Sequence, residues 1–246
     1  MQLNAAPALR ARAAGVARFA RSLRDCTSGL ALTEFAMSLP VLLTLGLFGL
    51  ETANLAMAHL RVSNIAMLTA DNAARIRDSI DESDVVELMT GAKMTGDGIA
   101  FAQNGRIVLS SLENNGTRQW IRWQRCDGAL NVAPSYGRPL TSTGSQIVNG
   151  TEIYGTDRQT ASSAPSSPNM STMTGMGPAG NQITSQTGTA VMMVEVTYNY
   201  QPIIPNSFLN GMQIRYESSF NVRQRTNQSI TNNGRITPKS CNLFQA

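Results

Sequence analysis

The chain has 246 residues, enough for one ordinary domain with extensions, and carries 20 basic against 16 acidic side chains, a net charge of +4. Arg10, Arg12, Arg18, Arg21 and Arg24 face only Asp25 within residues 1–29, so the whole surplus lies there and the rest of the chain is neutral. A nucleic-acid surface would carry its basic residues on the folded part, so nucleic acid is excluded as the expected partner; arginines beside an apolar run are instead the cytoplasmic flank of a membrane segment.

Residues 1–29 alternate Ala and Arg and read as a basic cytoplasmic leader, with Cys26 inside it. Residues 30–50 are apolar and long enough for roughly 30 Å of helix, which predicts a transmembrane segment. The N-terminus is then cytoplasmic and residues 51–246 lie outside. Pro40 falls inside the run, where it removes one backbone hydrogen bond and tends to kink the helix. Gly46 and Gly49 would let another helix approach closely. Glu34 at the mouth of the run is the anomaly, since a carboxylate at membrane depth costs roughly 2.5–3.5 kcal/mol. From Glu51 to about Ile80 there is no proline or glycine, and Leu55, Ala58, Val62, Ile65, Thr69, Ile76 and Ile80 form one helical stripe. One helix of about 50 residues is predicted, apolar all round in its first half and amphipathic in its second.

Asp81-Glu82-Ser83-Asp84 places acids in the first turn of a second helix, with Val85, Val86, Leu88 and Met89 inward and Gly91 or Gly96 at its end. The cluster lacks the glycine and distal glutamate of a calcium loop. A hairpin follows, with Arg106 to Glu113 and Arg118 to Cys126 flanking Asn115-Gly116. Trp120 and Trp123 are expected on opposite faces, one in the core and one covering an edge or meeting a partner. Residues 131–188 turn to Ser, Thr, Gly, Asn and Pro and read as a long, partly mobile surface loop. Met192, Val194, Val196, Tyr198 and Tyr200 alternate with polar residues, as do Ile214, Tyr216, Phe220 and Val222, which predicts strands with one buried face. Cys126 and Cys241 fall in the outer part, where an oxidising compartment allows one disulfide to pin the polar tail; two separate buried thiols are the other reading. The expected fold class is α+β, with an antiparallel sheet behind a long N-terminal helix.

Catalytic chemistry is thin. His59 is the single histidine and lies on the long helix near the membrane, and no nucleophile elbow, phosphate loop or metal-ligand spacing occurs. The expectation is a protein without catalytic residues, cofactor, metal or small-molecule substrate.

Gly29, then Glu34 at the fifth position after it and Phe35 at the sixth, opening an apolar helix, resembles the processing signature of type IV pilins and pseudopilins. The stretch from Gly29 to Leu43 is similar to TadE/TadG-type minor pseudopilins of tight-adherence pilus systems, and Ile121 to Gly128 resembles a segment of TadE-like proteins. The absence of a metal-dependent adhesion-type insert favours the TadE type. The resemblance implies a pilin-like outer domain in the periplasm, a single span of the bacterial inner membrane, and a role in assembling or priming an adhesive, biofilm-forming pilus. It implies cleavage between Gly29 and Leu30 by a prepilin peptidase, with other pilins and the assembly platform as partners. Glu34 and Pro40 become assembly residues, Glu34 by pairing with the new Leu30 ammonium of a neighbouring subunit, which would offset the cost of its charge. The rival is Ala56-Met57-Ala58 before His59, a signal-peptidase pattern that would release a secreted binding protein. Against it stand the length of the apolar run and the acids Glu34 and Glu51.

Overall fold

The computed structural model describes residues 22, 28–114, 116, 119–137, 139, 175–205 and 209–246. Almost all of the expected leader, the larger part of the expected 131–188 loop, and Asn115 and Arg118 of the expected hairpin lie outside the described residues. The chain divides into two compact units, Met1–Thr52 and Ala53–Ala246. The architecture is α+β, as expected.

Helix α1 spans Ser28–Arg75 as one unbroken element of 48 residues with Pro40 inside it. In the second unit its inward stripe is the expected one: Ala58, Val62, Ile65 and Thr69 are buried, joined by Ala66, Ala70, Ala73 and Ala74. Alanine at five of these places is buried without a rotamer cost. The helix was expected to reach Ile80 and stops at Arg75 instead. Its last carbonyls are taken by two arginines from the far end of the chain: Arg225 Nη2 donates to Ala73 O at 2.5 Å and its Nε to Ile76 O at 3.2 Å, while the Arg223 amide donates to Ala74 O at 3.0 Å. A cation there also complements the negative end of the helix dipole. Burial pulls the Arg225 guanidinium down to about 10, against a smaller opposing pull from Asp84, so it stays charged at neutral pH.

Ile80 opens a two-residue strand, β1 (Ile80–Asp81), paired in parallel with β6 (Ile230–Thr231). Helix α2 (Glu82–Thr95) follows, capped by Asp81 in a reciprocal capping box with Asp84. It ends at Gly96, the second of the two expected stops, and buries Val85, Met89 and, unexpectedly, Glu82. A 3₁₀ turn (Asp97–Ile99) and the short helix α3 (Phe101–Asn104) lead into the sheet.

The sheet is antiparallel, in the order β3-β2-β4-β5, with β2 Gly105–Asn114, β3 Gln119–Asp127, β4 Ala190–Asn199 and β5 Gln213–Asn221. Ile107, Leu109, Trp123, Met192, Val194, Val196, Tyr198 and Ile214 face the helices and form the main core with them. The two tryptophans depart from expectation. The register shift between Ser111 and Leu112 sets Trp123 opposite Ser111 and Trp120 opposite Glu113, two residues apart on β2. Both rings therefore lie on one face, and both are buried.

The larger departure is that β2, β3 and β4 are buried on both faces. On the side away from the helices, Leu112, Ile121, Val191 and Met193 pack under Met176, Tyr136 and Ile183, while Val108 packs on Cys126 and Cys241. Polar residues that alternation assigned to solvent are bonded here. Gln124 Nε2 donates to Ser110 Oγ at 3.0 Å and to Gly137 O at 3.1 Å, and the Ser185 amide donates to Gln119 Oε1 at 2.6 Å. Arg106, 1 % exposed, donates to Gly128 O after β3, holds the tail through Cys241 O and Leu243 O, and lies 4.4 Å from the centre of the Phe244 ring. The sulfur atoms of Cys126 and Cys241 lie 2.03 Å apart, at bonding distance, in agreement with the single expected pairing.

Candidate processing and assembly site

Gly29 and Leu30 stand in the first turn of α1, directly after Ser28. A Cβ at Gly29 would meet nothing within 4 Å. Leu30 is 63 % exposed and Phe35 59 %, and every other large apolar side chain from Leu30 to Leu50 is exposed as well. This helix is long and apolar enough to cross a membrane, as a signal sequence or the core helix of a soluble protein also is. None of its most apolar window is buried within the described structure.

The polar groups of this segment divide into two kinds. The hydroxyls are internally satisfied: Thr33 Oγ1 donates to Leu30 O at 2.7 Å, Ser38 Oγ to Phe35 O at 3.1 Å and Thr44 Oγ1 to Pro40 O at 2.7 Å. Such back-bonds let hydroxyls sit on an apolar surface without an unpaired donor. Pro40 leaves the helix unbroken, and its ring removes the donor that would have reached the carbonyl of Ala36. Glu34 is of the other kind. It is exposed, and its carboxylate has no hydrogen bond or ion pair among the described residues. Gly29, Leu30, Glu34, Phe35 and Pro40 therefore share one short stretch of helix, and the single charge on it is unspent.

The rival cleavage pattern falls elsewhere. Ala56, Met57 and Ala58 lie in the middle of α1, and Ala58 is a core residue. His59 sits on the same turn, its Nδ1 3.2 Å from the Tyr216 hydroxyl and its ring edge-on to Tyr216 at 5.9 Å.

Sequence reasoning followed the buried stripe of α1 and missed a second one. Met57, Leu60, Met67 and Leu68 are all about half or more exposed on the side of the helix away from the core. Leu60 lies three residues after Met57, and Met67 and Leu68 lie seven and eight after Leu60, a helical spacing visible in the sequence; large apolar residues on both sides of the helix are the signal. Also missed was the buried pair Glu82–Arg125, where Arg125 Nε donates to Oε1 at 2.9 Å and Oε2 at 3.0 Å, and Nη2 closes the fork on Oε1. It joins the start of α2 to β3.

Comparison of the chain with protein-family models, with curated proteins and with solved structures finds no match.

Proposed function

We propose that this chain is a minor pseudopilin of the TadE type, which helps to assemble or prime a tight-adherence pilus. In this reading the apolar half of α1 spans the bacterial inner membrane with its N-terminus in the cytoplasm. The Ala53–Ala246 unit lies in the periplasm, and a prepilin peptidase cuts after Gly29.

The observation that carries the reading is Glu34. A carboxylate without a partner among the described residues, on an otherwise apolar and exposed stretch of helix, needs a cation if it is to enter hydrocarbon. Cleavage between Gly29 and Leu30 makes such a cation, an ammonium at Leu30, on every neighbouring copy. The unbroken helix and the exposed Met57, Leu60 and Met67 support the same conclusion, because they offer apolar surface to other helices. Secretion after Ala58 is the competing reading, and it would sever α1 at a core position.

Intact mass of the mature chain separates the two. A start at Leu30 is expected; a start at His59 would replace the pseudopilin by a secreted protein, and an uncut chain would leave only a membrane anchor. Glu34→Ala is expected to insert normally but to reduce piliation by about tenfold or more, the weight of one buried ion pair left unmade. Unchanged piliation would remove the ammonium pairing from the mechanism.

A further inference from the structure

The two edges of the sheet are treated differently. Strand β3 is buried along its whole length, and on its outer side the Cys126 amide donates to Lys239 O of the tail at 2.8 Å. Strand β5 pairs on its inner side with β4, from Asn199↔Gln213 to Val191↔Asn221. Among the described residues, no backbone hydrogen bond reaches its outer side. Natural sheets blunt such edges with proline, lysine, a bulge or a covering segment. Gln213–Asn221 contains neither proline nor lysine and keeps regular register.

The free groups can be assigned. Beyond each end of the β4–β5 ladder, the Tyr200 amide donates to Met212 O at 2.8 Å and the Val222 amide to Ala190 O at 2.9 Å. Hydrogen-bonded pairs alternate along an antiparallel ladder, so the even-numbered residues of β5 bond inward to β4. The backbone groups of Gln213, Arg215, Glu217 and Ser219 then point outward. Their side chains lie on the sheet face away from the helices, where Pro178, Ile183 and Met193 border a groove of about 580 Å³ beside the strand. Arg215 has capacity for a further contact there: its side chain is 39 % exposed, and its bonds to Glu195 at 3.2 Å and Glu217 at 2.5 Å both use Nη2. On the helix face, Tyr216 and Phe220 are only partly covered.

We propose that this edge receives an extended segment of another protein, which adds to the sheet as an antiparallel strand. Strand addition takes its affinity from main-chain hydrogen bonds and its specificity from alternate side chains, and β5 offers both. The donor carries an acid opposite Arg215 and a base opposite Glu217, because unlike charges pair across a ladder and like charges repel. Opposite Ser219 it carries an apolar side chain, which fills the groove beside Met193 and Ile183. Opposite Tyr216 and Ser218 it carries β-branched apolar residues, which extend the partly covered helix face. A second copy of the chain supplies no such strand from its described residues. Its β2 and β4 are paired on both sides, its β3 edge is covered by the tail, and β1 and β6 pair with one another. Its β5 would arrive with α1 reversed, because α1 runs beside β5 in the same direction: Asn54 reaches the Tyr200 hydroxyl at 2.7 Å and the Arg223 amide reaches Ala74 O at 3.0 Å. Two α1 helices running in opposite directions do not share the one membrane in which the function proposed above places them.

The addition is tested with the full-length chain in detergent micelles and the capped peptide Thr-Ile-Val-Lys-Val-Glu-Thr-Ser. In the antiparallel register its isoleucine stands opposite Ser219, its lysine opposite Glu217 and its glutamate opposite Arg215. Binding is followed by calorimetry and by hydrogen exchange resolved to single residues. In the chain alone the amides of Arg215, Glu217 and Ser219 should exchange quickly, and with peptide bound about tenfold or more slowly. Those of Tyr216 and Ser218, bonded to β4, should be slow throughout. Exchanging lysine and glutamate in the peptide is expected to weaken binding about tenfold or more. N-methylation of the lysine, whose amide faces β5, should weaken it as much. N-methylation of the valine after it, whose amide faces away, should change binding by less than about threefold. No binding by the peptide, equal binding by the charge-exchanged form, or equal loss from the two N-methylations would each overturn the proposal. So would slow exchange of the three outward amides in the chain alone, which would show the edge already held by its own chain or by a second copy. The strand addition depends on β5 and its flanks and survives or fails independently of where the N-terminus is cut.

Discussion

Asp81 shows how much one side chain can hold at a junction. Its Oδ1 accepts from the Ser83 amide at 3.1 Å and its Oδ2 from the Thr231 hydroxyl at 2.8 Å and the Asn233 amide at 2.9 Å. It thereby caps α2 and ties β1 to the chain beyond β6. Burial works to raise its pKa, but these donors outweigh burial and hold the carboxyl at about 2, against an ordinary value of 3.8. Folding lowers the pKa, so the contribution to stability is complete above the ordinary value and drains away as the pH falls through about 2. Asp81→Ala is expected to cost about 0.5–2 kcal/mol at neutral pH. In urea denaturation at stepped pH, the gap from wild type should shrink between about pH 4 and pH 2; a gap independent of pH would deny the carboxylate its role. Glu195 behaves in the opposite sense. Burial raises its pKa, against opposing pulls from Ser135 and Arg215, so its share of stability is present below the ordinary carboxylate range and lost as the pH rises through the raised value.

Among the elements, α2 is attached both by its apolar face and by a buried charge pair. Glu82 is fully buried, and the fork from Arg125 on β3 is its partner. Removing one member of a buried pair strands the other, so Arg125→Met is expected to destabilise the domain by about 3–5 kcal/mol, read as a shift in the denaturation midpoint. The double change Glu82→Leu, Arg125→Met should lose much less. A double variant as damaged as the single one would mean that the loss comes from the missing pair itself and not from a stranded charge. These attachments also mark the limit of what sequence can show. The stripe from Ala58 to Thr69 was legible because helix period and apolar character coincide there. The faces of β2 to β4 were not, because Ser110, Gln124 and Glu195 alternate as solvent-facing residues do, while what covers them comes from chain segments poor in apolar residues. Trp120 misled for a different reason: a single unpaired residue in β3 reverses the parity of everything before it, and no composition records it. Gly29, Glu34 and Phe35 were legible as a pattern, yet only coordinates show that Glu34 lacks a partner among the described residues.

At the level of the whole chain, the disulfide spans a sequence separation of 115 residues. Loop closure on that scale contributes up to about 4–5 kcal/mol in the chain-entropy model, and measured values usually fall lower. Cys126→Ser with Cys241→Ser is expected to lower stability by about 2–4 kcal/mol and to speed proteolysis of residues 238–246 before any cut in the sheet. Simultaneous loss of tail and sheet would show instead that the tail is integral to the main cooperative unit.

The tail has one further consequence, which concerns time. Ile80 waits for Ile230, the carbonyls at the end of α1 wait for Arg225, and Cys126 waits for Cys241. Each early element is completed by a late one, so a chain emerging from its N-terminus cannot close the main core until Ile230 is out. Until then the inward stripe of α1 and both faces of β2 and β3 stand open to any passing chain. The domain folds after synthesis of its whole length and not alongside it, which makes the interval between emergence and closure the period in which it most needs protection.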